Sequence, residues 1–99
     1  MKIRILKGAK SDLEEGFRFY EMQEPGIGSY FLTSLGSDID SLKLYAGIHP
    51  KTESGYYRML AHRFPFAIYY KIVGNEIHIY AVLDTRRNPT LRYRRLLSS

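Results

Sequence analysis

The sequence predicts an α+β fold of order β-α-α-β-β-β, in which an antiparallel, twisted sheet packs against a helical hairpin. Three observations carry that expectation. The chain opens on a short stretch of period-2 alternation. It continues through two apolar stripes at helical spacing, joined by a Pro-Gly turn. After Gly55 the period returns to 2 and stays there for three further segments. The 99 residues form one domain, 1–99, because a chain of this size buries roughly 60–70% of its extended surface around a single core.

Each element has a local reason. In Lys2-Ile3-Arg4-Ile5-Leu6 the isoleucines share one face and the charges the other, as in a short edge strand. Ser11-Asp12-Leu13-Glu14 has the Ser-x-x-Glu spacing of a capping box, and Leu13, Phe17 and Tyr20 then fall on one helical face. Glu24-Pro25-Gly26 stops that helix. A second stripe, Phe31, Leu35, Ile39 and Leu42, runs from about Ile27 to Ala46-Gly47, where His49-Pro50 forbids continuation. Strand candidates follow at 56–63, 64–73 and 76–83. Gly74-Asn75 between the last two is a hairpin signal, because primed turns need positive φ. In the final strand Ile77, Ile79, Ala81 and Leu83 are expected on one face. Apolar residues on both faces make that strand central.

Composition closes several routes. There is no cysteine, which excludes disulfides, thiol catalysis and thiolate metal sites and fits a reducing cytoplasm. No signal-peptide core and no apolar run of membrane-spanning length is visible, so no membrane association is expected. His49, His62 and His78 show no ligand spacing, and neither a metal nor a cofactor is expected. Glu14, Glu15, Glu21 and Glu24 read as a solvated helix face with a cap.

The net charge of +5 is unevenly placed. Residues 1–85 hold ten basic and ten acidic side chains, whereas residues 86–99 hold Arg86, Arg87, Arg92, Arg94 and Arg95 and no acid. A balanced body with a basic C-terminal tail reads as an electrostatic docking arm. Arginine suits it, since its fork grips phosphate or carboxylate at two points. Tyr93, between two arginines, is a candidate for stacking or proton transfer. Arg58 and Arg63 lie five apart in an extended run and are expected on opposite faces.

The stretch from Tyr56 to Pro89, with "RFPFAIYY", the strand after it and the closing "RRNP", resembles the RelE/ParE superfamily of toxins, the plasmid-stabilisation type of type II toxin–antitoxin pairs. The element order is similar over almost the whole chain. The resemblance implies a small cytoplasmic growth inhibitor, neutralised by a cognate antitoxin, small and acidic, that lies over the sheet and helices. Phe64, Phe66, Tyr69 and Tyr70, with Arg58 and Arg63, are the expected antitoxin-binding residues, those not in the core forming an apolar groove. Arg86, Arg87, Arg92, Tyr93, Arg94 and Arg95 are the expected target-binding residues.

Two modes of action are known for the superfamily: cleavage of messenger RNA on the ribosome without a metal, and poisoning of DNA gyrase by members that are not nucleases. For cleavage, Arg86, Arg92, Tyr93 and Lys51 are the matching residues. The arginine that the nuclease pattern carries in the strand would fall at Phe66 or Ala67, and neither can hold a phosphate. The resemblance is therefore closer to the ParE side, with gyrase as the expected target. Ribosome-dependent cleavage is the alternative, and a non-toxic binding module that still holds its antitoxin is a third reading.

Overall fold

The computed structural model describes residues 1–97 and runs β1 (Lys2–Ile5), α1 (Lys7–Gln23), α2 (Ile27–Asp40), α3 (Leu42–Tyr45), β2 (Tyr57–Leu60), β3 (Phe66–Val73), β4 (Glu76–Asp84) and α4 (Pro89–Leu97). The sheet order is β1-β4-β3-β2. The three strands after Gly55 form an antiparallel meander, as expected. β1 joins it at the β4 edge in parallel, with Ile3 opposite Ile77 and Ile5 opposite Ile79, so the sheet is mixed. β4 is central.

The hairpin between β3 and β4 turns at Gly74, whose φ is +61°, while no non-glycine residue has a positive φ. That pattern belongs to a type II′ turn, which matches the right-handed twist of its strands.

The inner face of the sheet packs on the helical hairpin. Ile68, Tyr70, Ile77, Ile79 and Val82 meet Ala9, Phe31, Leu35, Ile39 and Leu42 in one buried cluster. The two long helices come close because Gly28 leaves room. A Cβ there would lie 2.7 Å from the Phe17 carbonyl oxygen. The Glu21 carboxylate accepts the Gly26 and Gly28 amides and so satisfies free N–H groups at the start of α2.

Four expectations are corrected. The Ser11–Glu14 capping box does not start a helix. α1 already begins at Lys7, because the Leu6 amide still bonds to Ile79 of β4 and its carbonyl then takes the Lys10 amide. The second helix is broken at Ser41, whose hydroxyl donates to the Asp38 carbonyl, so Leu42–Tyr45 stands as a separate turn. In β4, Ala81 and Leu83 do not share the face of Ile77 and Ile79. Tyr70 pairs with Ile79 but Tyr69 with Ala81, which leaves Tyr80 as an extra residue. This bulge inverts the alternation, so Val82 enters the inner core and Ala81 the outer cluster.

The fourth correction concerns the tail. Residues 86–99 are expected as a basic tail beyond the last element, whereas Pro89–Leu97 form a helix; residues 98–99 lie outside the described residues. Asn88 starts it by accepting the Thr90 amide on its side-chain oxygen (2.8 Å), with Pro89 in the first turn where no N–H is needed. α4 lies over the outer face of the sheet. Leu96, 6% exposed, packs with Tyr56, Ala67, Tyr69 and Ala81, and its carbonyl accepts the Tyr56 hydroxyl. Burying such a side chain contributes about 2 kcal/mol.

Candidate functional site

The outer face of the sheet and the near side of α4 enclose an open cleft of about 670 Å³. β2 and β3 supply Arg58 and Tyr69, the loop before β2 supplies Thr52, Glu53 and Ser54, and α4 supplies Arg92, Tyr93 and Leu96. The Arg58 guanidinium donates from Nε to the Tyr69 hydroxyl at 3.0 Å and lies 5.9 Å from that ring's centroid. Its direction is thus fixed before anything binds. Tyr93 is 54% exposed, so its ring is open to a partner. The cleft holds two arginines against one carboxylate, Glu53. It can receive an anionic group between two forks and stack a planar one on Tyr93.

The tail arginines do not act as one surface. Arg86 donates from its backbone N–H, Nε and Nη2 to the Asp84 carboxylate, at 2.8, 3.0 and 2.8 Å. Arg86 holds the Asp84 carboxyl below its ordinary pKa, and Asp84 in turn raises that of Arg86. Arg87 reaches Glu15 at 3.5 Å. Arg95 grips Asp12 at two points. Arg87 and Arg95, with their partners Glu15 and Asp12, line a smaller cavity of about 310 Å³ on the α1 side, and Asp84, the partner of Arg86, lines it too. Arg92 and Arg94 have no carboxylate within ion-pair reach among the described residues. Arg94 is exposed, and it does not line the cleft.

Lys51 does not line the cleft. Its ammonium sits 5.0 Å from the centroid of Tyr57, a ring that stacks on Tyr70 on the inner side of the sheet. Ala67 lies on the outer face but is fully buried beside Leu96, while Phe66 points into the inner core, so no cation occupies that part of β3.

The expected antitoxin-binding aromatics divide in the same way. Phe66, Tyr69 and Tyr70 are buried, because both faces of β3 are covered. Phe64 is half-buried in a ring cluster with Tyr20, Tyr30 and Phe31. Arg63 lies beyond β2 and donates to the Tyr30 hydroxyl on the helical side (2.8 Å), which raises its pKa.

The histidines are dispersed. His49 meets the Tyr70 hydroxyl, His62 meets the buried Asp38, and His78 meets Glu76. Among the described residues no three potential ligands converge on a metal position. Burial lowers the pKa of His49 and raises that of Tyr70.

Sequence reasoning missed Thr52, Glu53 and Ser54, which carry no pattern, and Asp12. Asp12 did leave a signal. It stands between Ala9 and Gly16 on the helix face that turns inward, where an acid needs a partner.

No protein-family model matches the sequence, and none of the curated proteins matches it significantly. Among solved structures, the chain is similar to one described as the chromosomal ParDE TA system from P. aeruginosa. The two superpose with a TM-score of 0.81 over 87% of this chain and 97% of that one, at 20% sequence identity. This chain has the fold of that ParDE chain. No helix among the described residues is long and apolar enough to cross a membrane.

Proposed function

We propose that the chain is the toxin of a type II toxin–antitoxin pair, a cytoplasmic growth inhibitor neutralised by a small acidic antitoxin. It acts in the ParE manner, on DNA gyrase. The observation that carries this reading is the ParDE-type fold across 87% of the chain. It is supported by the buried, uncharged surroundings of Ala67 and Phe66, where a ribonuclease of the superfamily would need a cation on the scissile phosphate.

The cleft is the surface that meets the target, with Arg58, Arg92 and Tyr93 as contacts. A protein target offers carboxylates and backbone carbonyls that such forks recognise, and no bond need be made or broken in the toxin's own site.

One observation favours a second reading. Arg58, Arg92 and Tyr93 line one cleft, so two cations and a phenol are present even though Lys51 and Arg86 are not among its lining residues. That set could hold a phosphate and carry a proton, as metal-independent RNA cleavage requires.

Pulse labelling after induced expression in bacteria lacking the antitoxin tests both readings. Thymidine incorporation is expected to fall before methionine incorporation. A fall in methionine first would replace the gyrase reading with ribosome-dependent cleavage. Normal incorporation of both would leave a non-toxic module that still binds its antitoxin.

A further inference from the structure

A buried carboxylate that accepts three hydrogen bonds lies outside the cleft. Asp12 is in the second turn of α1 and is 8% exposed. Its Oδ2 accepts the backbone N–H of Val82 at 2.9 Å. β1 ends at Ile5, opposite Ile79, so β4 has no neighbouring strand on that edge at Val82. Asp12 supplies the acceptor that a longer β1 would have given.

Both carboxylate oxygens also receive the Arg95 guanidinium, Oδ1 from Nη1 at 2.6 Å and Oδ2 from Nη2 at 2.8 Å. Arg95 comes from α4, 83 residues away. Its fork passes over Gly8, where a Cβ would stand 2.7 Å from Nη2. Thus α1, β4 and α4 meet at one carboxylate, and a glycine keeps the passage open.

On the helix that carries Arg95, Arg92 and Tyr93 line the cleft and Leu96 covers the outer cluster. Among the described residues, α4 is also held by Leu96 and its carbonyl bond to Tyr56, and just before its start by the exposed Arg87–Glu15 pair, which contributes little in water. A helix of nine residues does not hold its own shape in water.

We propose that Asp12 is a positioning residue for the cleft: by gripping Arg95 at two points it fixes α4, and through α4 it sets where Arg92 and Tyr93 stand. The proposal rests on the reading of the cleft as the functional surface. On it, Arg95 belongs to the internal frame of the toxin and contacts no target.

The test is amide hydrogen exchange of residues 89–97 against the amides of β3 and β4, measured on the full chain. Asp12→Asn keeps the shape and an acceptor for Val82 but loses the charge. Arg95→Gln removes the other partner. Gly8→Ala crowds the guanidinium without touching Asp12. Each is expected to speed exchange in 89–97 about tenfold, with the sheet core unchanged. The double variant Asp12→Asn/Arg95→Gln is expected to add little to either single change. Growth inhibition is expected to fall with the protection of α4 across the series.

Unchanged exchange in 89–97 in both Asp12→Asn and Arg95→Gln would overturn the proposal. So would an equal rise throughout the core, which would make Asp12 a general determinant of folding, or a loosened α4 with full inhibition. If the unmodified chain does not inhibit growth, the toxin reading fails by itself, while exchange still reports whether the carboxylate holds the helix.

Discussion

Arg86, Arg87 and Arg95 belong to the same basic run as Arg92 and Arg94, yet the two groups are in opposite electrostatic states. The first group faces Asp84, Glu15 and Asp12, and its charge is spent within the molecule. In the second, Arg92 lines the cleft beside Arg58, where Glu53 is the one acid, and Arg94 is exposed. A cluster of arginines in sequence is therefore not a docking surface by virtue of its charge. What decides is which side of a helix each guanidinium leaves from and whether an acid waits there. Among the described residues, Arg86, Arg87 and Arg95 each face an acid, whereas Arg92 and Arg94 have none within ion-pair reach.

On the proposed toxin reading, the largest effect expected from this division is on growth inhibition. Arg58→Glu combined with Arg92→Glu turns the cleft from basic to acidic without breaking an ion pair. Inhibition is expected to disappear, with the thermal midpoint within error of the original. Full inhibition in plating assays, at matched protein levels, would show that the unpaired arginines are no more functional than the paired ones. A large fall in the midpoint would show that Arg58, through its bond to Tyr69, belongs to the frame.

Next in size is the apolar contact that seats α4. Leu96→Ala leaves a gap among Tyr56, Tyr69 and Ala81. It is expected to cost about 2 kcal/mol in denaturant unfolding, near the low end for a core leucine, since a terminal helix can settle into the space. A cost near zero would mean that α4 contributes no packing, and the contrast between frame and cleft would then rest on the Asp12 ion pair alone.

Much of the fold was legible because the periodicity is strong. The two helical stripes, the hairpin at Gly74 and the central place of β4 all follow from apolar spacing and turn chemistry. The inverted face of β4 was not legible, since one inserted residue at Tyr80 changes which side Val82 and Ala81 take, and no residue type marks it. α4 could have been read. Asn88-Pro89-Thr90 is a helix start, with a capping side chain followed by proline, and Leu96 is an apolar residue a helix must bury somewhere. The site was legible as a set of residue types but not as a grouping. Arg92, Tyr93 and Arg58 come together only because α4 folds back over β2 and β3, and Arg86 and Arg95 leave the set only because of acids 2 and 83 positions away.

The smallest effect lies in the frame and is read through pH. Arg86 lowers the pKa of Asp84, so the fold favours the ionised carboxylate. A depressed acid contributes stability that is fully present above its unfolded value, about 3.9, and is lost as pH falls through the lower folded value. Arg86→Gln removes the main cause of the depression. The variant is therefore expected to melt slightly below the original chain at neutral pH. The gap should close on acidification, once Asp84 is protonated in both. Arg92→Gln, with no acid within ion-pair reach among the described residues, is expected to show no gap at any pH. Thermal unfolding of the three chains from pH 7 downward makes the comparison. A gap for Arg86→Gln that persists after Asp84 is protonated would mean that Arg86 acts through packing or through Tyr20, whose hydroxyl stands 3.5 Å from its Nη2. A gap of the same form for Arg92→Gln would place Arg92 in the frame and erase the distinction between the two groups.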